Sequence, residues 1–288
     1  MAKTPMELLE MLIPFLKSPP GPPSPTEQEL AEDDRVVETV DAVPGMPNGK
    51  GIFVQTVERA TKQGTPQALA DRAKDLGLSW ITLIVIWQHS DRDRIYTQIE
   101  SAIAACNRVG VDVWIWGWPE SGASRIDKFV AFTGDIIDQQ PVKGLIINAE
   151  KPFYGKNKTA AAKDLCTEIR ARLGQVPIGL SSYGPPYWHP AFPWAPFAAI
   201  ADFGMPQIYD MDHKYGASYP QQCMASWVKS GFPKLIPTWG ASNAHTADQM
   251  KQMIQRTPRA PACCWWDMNW IRSSTARAGV VREMSWFT

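Results

Sequence analysis

Eight short apolar runs recur along this chain at regular spacing, and that rhythm restricts the available folds more than any other feature. They cover residues 51–57, 80–87, 112–118, 144–150, 177–183, 203–209, 234–239 and 262–267, and each ends in polar or aromatic side chains. Stretches of helical periodicity separate them, at 66–76, 92–109, 124–137, 159–173, 190–200, 219–229, 246–256 and 273–284. Strand-like runs alternating with helical stretches are the pattern of β/α units around a parallel sheet. Punctuation agrees with it. Asp93 and Thr246 stand at helix starts, while Gly77, Gly110, Gly174 and Gly231 stand just past helix ends, where a left-handed cap favours a residue without Cβ. The expected fold is therefore α/β, a (β/α)8 TIM barrel, which needs about 250 residues. An open doubly wound sheet fits less well, because no glycine-rich phosphate turn follows the first run.

The 288 residues leave room for a short appendage. Residues 1–48 are expected to form an N-terminal helix and a proline-rich, acidic arm, with the barrel over 49–288. Thr4, Pro5 and Glu7 give a helix start, and Leu8, Leu9, Met11, Leu12, Ile13 and Leu16 an apolar face. A face of that size needs cover, from its own barrel, another copy or a partner protein. The segment 19–25 holds five prolines and is expected to be extended.

Charge and composition remove several function classes. With 29 basic and 29 acidic side chains there is no broad field to attract nucleic acid or an anionic membrane surface. No run reaches the roughly 18 apolar residues of a membrane span, and the N-terminus lacks a signal-peptide pattern, so synthesis as a soluble cytoplasmic protein is expected, with release by lysis or carriage on a virion as exit routes. Five scattered cysteines match neither a disulfide framework nor zinc-ligand spacing. Phosphate-binding loops, a nucleophile elbow and H-E-x-x-H pairs are absent, and the four histidines are dispersed. No cofactor and no metal are expected.

What remains is a set of acids at strand ends: Glu58, Glu120, Glu150, Asp210, Asp212 and Asp267. Barrel enzymes work at the carboxyl ends of their strands. Glycoside hydrolysis asks for two acids about one bond, one protonated to help the leaving oxygen and one ionised. The chain also holds 13 tryptophans, with Trp87, Trp116, Trp118, Trp239, Trp265 and Trp266 at run ends. Flat amphipathic rings suit ligands with an apolar face and a hydroxylated rim, as sugars have. Further aromatics lie in the loops after the fifth and seventh runs, among them Tyr183, Tyr187 and Trp188.

The run 144–150, ending Asn148-Ala149-Glu150, resembles the fourth strand of chitinase-like and lysozyme-like (muramidase) glycoside hydrolase barrels, which carries D-x-E there. The segment 205–210, Met-Pro-Gln-Ile-Tyr-Asp, is similar to their sixth strand, and Cys264-Trp265-Trp266-Asp267 to their closing strand. The likeness spans roughly residues 49–288 through the order of motifs. It implies a polysaccharide substrate, an amino-sugar polymer of the peptidoglycan or chitin type, and Glu150 as proton donor. Asp210, Asp212 or Asp267 would supply the second charge, with Asn148, Gln207, Tyr209, Tyr183, Trp87, Trp116, Trp118, Trp239 and Trp266 around the sugar. A phage-type cell-wall hydrolase would have this appearance. The chain departs from the pattern at Asn148, where those families place Asp. An amide orients but cannot take up charge, which favours the alternative of a barrel that has lost turnover and binds a glycan or serves as an interaction module.

Overall fold

The computed structural model describes residues 44–87, 98–210, 214–240 and 245–284. The expected N-terminal helix and most of the arm, together with Asp93 and Asp212, lie outside those residues. Eight parallel strands close into a barrel in chain order: β1 (Gly49–Val54), β2 (Trp80–Trp87), β3 (Asp112–Trp118), β4 (Leu145–Asn148), β5 (Ile178–Ser182), β6 (Phe203–Ile208), β7 (Thr238–Gly240) and β8 (Ala262–Trp266). The ring shuts where Gly49 and Ile52 of β1 pair with Ala262 and Trp265 of β8. The fold is the expected (β/α)8 TIM barrel.

Helices among the described residues are α1 (Val57–Ala60), α2 (Pro66–Asp75), α3 (Ile99–Arg108), α4 (Ala123–Gln139), α5 (Thr159–Leu173), α6 (Trp194–Ala198), α7 (Tyr219–Lys229), α8 (Ala247–Arg256), α9 (Met268–Arg272) and α10 (Thr275–Glu283). Thr246 opens α8 with a capping box: its hydroxyl accepts from Gln249 N while the Gln249 side chain accepts from Thr246 N. Gly77, Gly110, Gly174 and Gly231 all have positive φ. Three expected elements differ. The stretch 190–200 is helical only over α6, because Pro190, Pro193 and Pro196 break the donor ladder. The single stretch 273–284 is preceded by α9 and starts two residues late, since Ser274 caps α10 by accepting from Arg277 N. The seventh run pairs fully only over β7; before it, Leu235 makes an isolated bridge to Gly204.

Side chains alternate across each strand, and two cores result. Inside the barrel lie Phe53, Trp80, Ile84, Trp114, Trp116, Ile146, Phe203, Met205, Ile236, Ala262 and Cys264, with Trp266 packed above them. Between strands and helices lie their neighbours, including Ile52, Val54, Leu83, Ile115, Leu145, Ile147, Leu180, Ile208, Trp239 and Trp265. With both faces covered, the strands read as continuous apolar runs. Bulky interior rings need gaps in the wall: a Cβ on Gly51 would stand 1.9 Å from the Trp80 indole, and one on Gly179 would stand 2.3 Å from the Phe203 ring.

Candidate active site

The interior row of β4 runs from Ile146 through Asn148 to Glu150, so the last two look into the mouth of the barrel. Glu150 is half-buried, just beyond the strand. Its Oε1 accepts a 2.8 Å hydrogen bond from Gln207 Nε2, and the same nitrogen stands 3.1 Å from Asn148 Oδ1 and 3.4 Å from Ser181 Oγ. An amide nitrogen has two protons, so the two shorter contacts, to Glu150 and Asn148, take them. Asn148 also hydrogen-bonds the Glu150 carboxyl. Burial pushes the Glu150 pKa above the usual carboxylate range, and the hydrogen bonds from Gln207 and Asn148 oppose that rise without cancelling it. Neither a second carboxylate nor a lysine figures among the groups that move it.

Two tyrosines flank this cluster. Tyr209, beyond β6, and Tyr183, beyond β5, have hydroxyls held above their ordinary pKa first by burial and then by the charge of Glu150, so both stay neutral donors beside it. Tyr209 packs against Gly240, where a Cβ would come within 2.8 Å of its ring. Tyr183 stacks on His189 with centroids 4.1 Å apart and planes at 15°. Burial lowers the His189 pKa to about 4, which leaves a neutral imidazole. Beneath them Phe53, Trp116 and Trp266 form an aromatic cluster, with Trp266 at 5.1 Å from Phe53 and 5.4 Å from Trp116. Trp266 remains partly accessible, whereas Trp116 is fully buried and gives its Nε1 to Val54 O at 3.3 Å.

The other expected site residues fall into different places. Asp267 is 1 % exposed and serves as N-cap of α9, accepting from Trp270 N at 3.3 Å. Burial raises its pKa to about 7, against hydrogen bonds from the Trp270 and Asn269 amides and the charge of Arg59. Asp210 is 3 % exposed, its two oxygens accepting from Lys214 N at 2.8 Å and Tyr215 N at 3.1 Å. Its charge acts on Tyr219 and Cys223 of α7, on the helix side of the wall. Trp239 is a correction to the expectation: it is wholly buried between β7 and α8, with Nε1 donating to Thr257 Oγ1 at 2.9 Å. It sits one residue off the interior row, beside Gly240, and packs on Trp265 instead of a ligand. Trp118 ends β3, 5 % exposed. Trp87 ends β2, but its side chain is outside the described part of the molecule. Of the remaining strand-end acids, Glu58 accepts from Gln98 Nε2 and Glu120 pairs with Arg125 at 3.2 Å.

Sequence reasoning missed Ser181, His189, Tyr154 and Gly240. Ser181 was recoverable, since it precedes Tyr183 by two and shares its face; the stack of His189 on Tyr183 has no signal in the sequence. Among the described residues no three His, Cys, Asp or Glu side chains come together as a metal site, and no described helix is long and apolar enough to cross a membrane.

No family model and no curated protein matches the chain. Solved structures do match its fold. The active domain 2 of a thermostable chitinase from Pyrococcus furiosus superposes with a TM-score of 0.57 at 13% identity, covering 84% of this chain and 97% of that one. The spore cortex-lytic enzyme SleL of Bacillus megaterium gives 0.55 at 10% identity, over 98% and 84%. A β-galactosidase from the psychrophilic Marinomonas ef1 gives 0.58 at 8% identity, over 76% of this chain and 54% of the other. At these identities the likeness is one of fold: this chain is built on the (β/α)8 frame that those glycoside hydrolases use.

Proposed function

We propose that this chain is a glycoside hydrolase of amino-sugar polymers, peptidoglycan or a chitin-like glycan, with Glu150 as proton donor and the substrate's own N-acetyl group as nucleophile. The observation that carries the reading is a half-buried carboxyl at the mouth of the barrel, held toward its protonated form by burial and oriented by the amides of Gln207 and Asn148. A carboxylic acid kept protonated in a water-poor site is suited to protonating a leaving oxygen. The partly accessible indole of Trp266 supplies an apolar face for the sugar.

A second charged carboxylate beside Glu150 is the usual nucleophile. Among the described residues, the groups shown beside it are Asn148, Gln207, Tyr183 and Tyr209, all neutral. Those groups suit an acetamido substituent better than an ionised partner. In the reaction so drawn, Glu150 gives its proton to the glycosidic oxygen as the C1–O bond breaks. The acetamido oxygen closes on C1 while Asn148 and Tyr209 hold that group in place. Water then attacks C1, the Glu150 carboxylate takes its proton, and the ring opens to the hydrolysed sugar. In this reading Asp267 and Asp210 support the loops that carry Tyr209 and Trp266.

Wild type and Glu150→Gln are compared on bacterial cell walls and on N-acetylated chito-oligosaccharides. Wild type is expected to cleave at least one, and the variant to lose about a hundred- to ten-thousand-fold in kcat. Activity is expected to fall as pH rises through the raised pKa of Glu150. Gln207→Leu removes a bond that lowers this pKa, so the fall should move to higher pH. Binding of walls by both proteins with clearing by neither would instead make the barrel a glycan-binding module. Equal cleavage of polymers lacking the N-acetyl group would end substrate assistance.

A further inference from the structure

The loops after β4 and β5 lock together beside Glu150. Past that residue the chain makes a tight turn over Lys151–Phe153. Phe153 drops into the core, fully buried, and meets the Phe197 ring at 5.6 Å. Gly155, with a φ of 132°, gives its N–H to Ala191 O at 3.1 Å. Tyr154 is fixed between these two anchors. At 41 % exposure it is nevertheless the one exposed aromatic side chain among the described residues.

Its ring stands nearly perpendicular to two others, Tyr183 and His189, with centroids 6.0 Å away in each case. Those two are stacked on each other, and each is held in turn: His189 O accepts from Trp194 Nε1 at 3.1 Å, and Tyr183 meets the Phe192 ring at 5.9 Å. The three rings thus form a shelf that is ordered before any ligand arrives, which keeps the entropy cost of binding small. The shelf also adjoins the reacting carboxyl. The Tyr183 hydroxyl has both Glu150 and Tyr154 within electrostatic range. In a ring closed in chain order, β8 with Trp266 stands across from β4, whereas the shelf rises from the loops after β4 and β5. A glycan with one sugar on Trp266 and its glycosidic oxygen at Glu150 therefore meets the shelf with its next sugar. An accessible aromatic ring accepts the apolar face of a pyranose.

Resting on the glycosidase reading above, we propose that Tyr154, backed by Tyr183 and His189, is the subsite for the leaving-group sugar, the unit that departs with the proton of Glu150. The ligand is a pyranose bound by its apolar face, so the bond cleaved is one that joins two sugars.

The test uses the full chain and a pair of substrates that differ on the leaving side. An N-acetylated chito-oligosaccharide releases a sugar, whereas N,N′-diacetylchitobiosyl fluoride releases fluoride and puts nothing on the shelf. Tyr154→Ala should lower kcat/KM about tenfold on the oligosaccharide and change it less than about twofold on the fluoride. Tyr154→Phe keeps the ring and should restore the oligosaccharide. The pH at which activity falls should match wild type in both variants, since Tyr154 is not among the groups that move Glu150. Equal losses on the two substrates, or no loss on the oligosaccharide, overturn the subsite while leaving hydrolysis standing. Where wild type turns over neither, cosedimentation of Glu150→Gln with bacterial cell walls and with chitin decides. Weaker sedimentation on adding Tyr154→Ala, recovered with Tyr154→Phe, upholds the shelf as a sugar site, and the failure falls on the hydrolase reading alone. Unchanged sedimentation overturns the shelf as well.

Discussion

Asp210 and Asp267 look alike in the sequence, each an acid at the end of an apolar run, and each falls one residue off the interior row of its strand. Gln207 and Tyr209 face the barrel mouth, so Asp210 faces away from it and spends its oxygens on Lys214 N and Tyr215 N. Trp239 is lost to the outer core in the same way, next to an inward Gly240. Strands buried on both faces give no polar alternation from which to read parity, which is why Asn148, Glu150 and Tyr209 were identifiable as a group while Asp210 and Trp239 were misplaced beside them. Asp267 follows Trp266 of the interior row and is taken up as a helix cap, and its burial has a cost that depends on pH. Its pKa rises from 3.8 unfolded to about 7 folded. The unfolded chain therefore ionises first, and this group's stabilising contribution, full below pH 4, is lost as pH rises toward 7. The loss amounts to up to about 4 kcal/mol. Asp267→Asn preserves a side chain able to cap α9 and removes the charge. Urea unfolding of the two proteins at pH 5 and pH 8 should show the variant gaining on wild type at the higher pH. An unchanged difference would mean that Asp267 is ionised in the folded protein at both.

At the scale of elements, eight strands and the order of their helices were legible because each run combines β-branched or aromatic residues with a helical stretch behind it. The boundaries that slipped have local causes: prolines around α6, a second cap at Ser274, and a β7 that pairs fully over only three residues. The glycines inside strands were harder to interpret, since nothing in the sequence says which neighbouring ring fills the gap. Gly51 of β1 is such a place, with Trp80 of β2 lying against it in the register that pairs the two residues. Gly51→Ala would set a methyl 1.9 Å from a rigid indole that is itself buried by the barrel interior. Either β1 or Trp80 must move, and overpacking of this kind costs about 3 kcal/mol or more. Gly110→Ala makes a fair comparison, because its φ of 78° is strained for alanine but no atom lies within 4 Å of the new methyl. That change should cost about 1 kcal/mol. Denaturant midpoints should rank them in that order; a Gly51→Ala protein as stable as wild type would show that β1 and β2 can part without loss.

For the whole barrel, closure of the ring means that none of the eight strands leaves an open edge, so access to the interior requires separation of paired strands or removal of helices. The five cysteines report on that property from around the molecule: Cys106 in α3, Cys166 in α5, Cys223 in α7, and Cys263 and Cys264 on opposite faces of β8. All are free and buried, at 4 % exposure or less. Burial pushes the Cys106 and Cys166 thiols up to about 12 and raises the other three as well. The reactive form is the thiolate, so each cysteine is protected twice, by exclusion of reagent and by suppression of ionisation. Only opening removes both. An aromatic disulfide reagent at pH 8 should therefore modify none of the five in native buffer on a timescale at least about a hundredfold longer than a free thiol needs, and should modify all five in denaturant. Sequential labelling would locate weak sectors: early reaction of Cys166 alone would mean that α5 lifts from the wall while the ring stays closed, whereas Cys264 cannot react until the strands around β8 separate. Rapid modification of Cys264 in native buffer would contradict a closed, packed barrel and remove the support beneath Trp266 and Tyr209 on which the proposed chemistry stands.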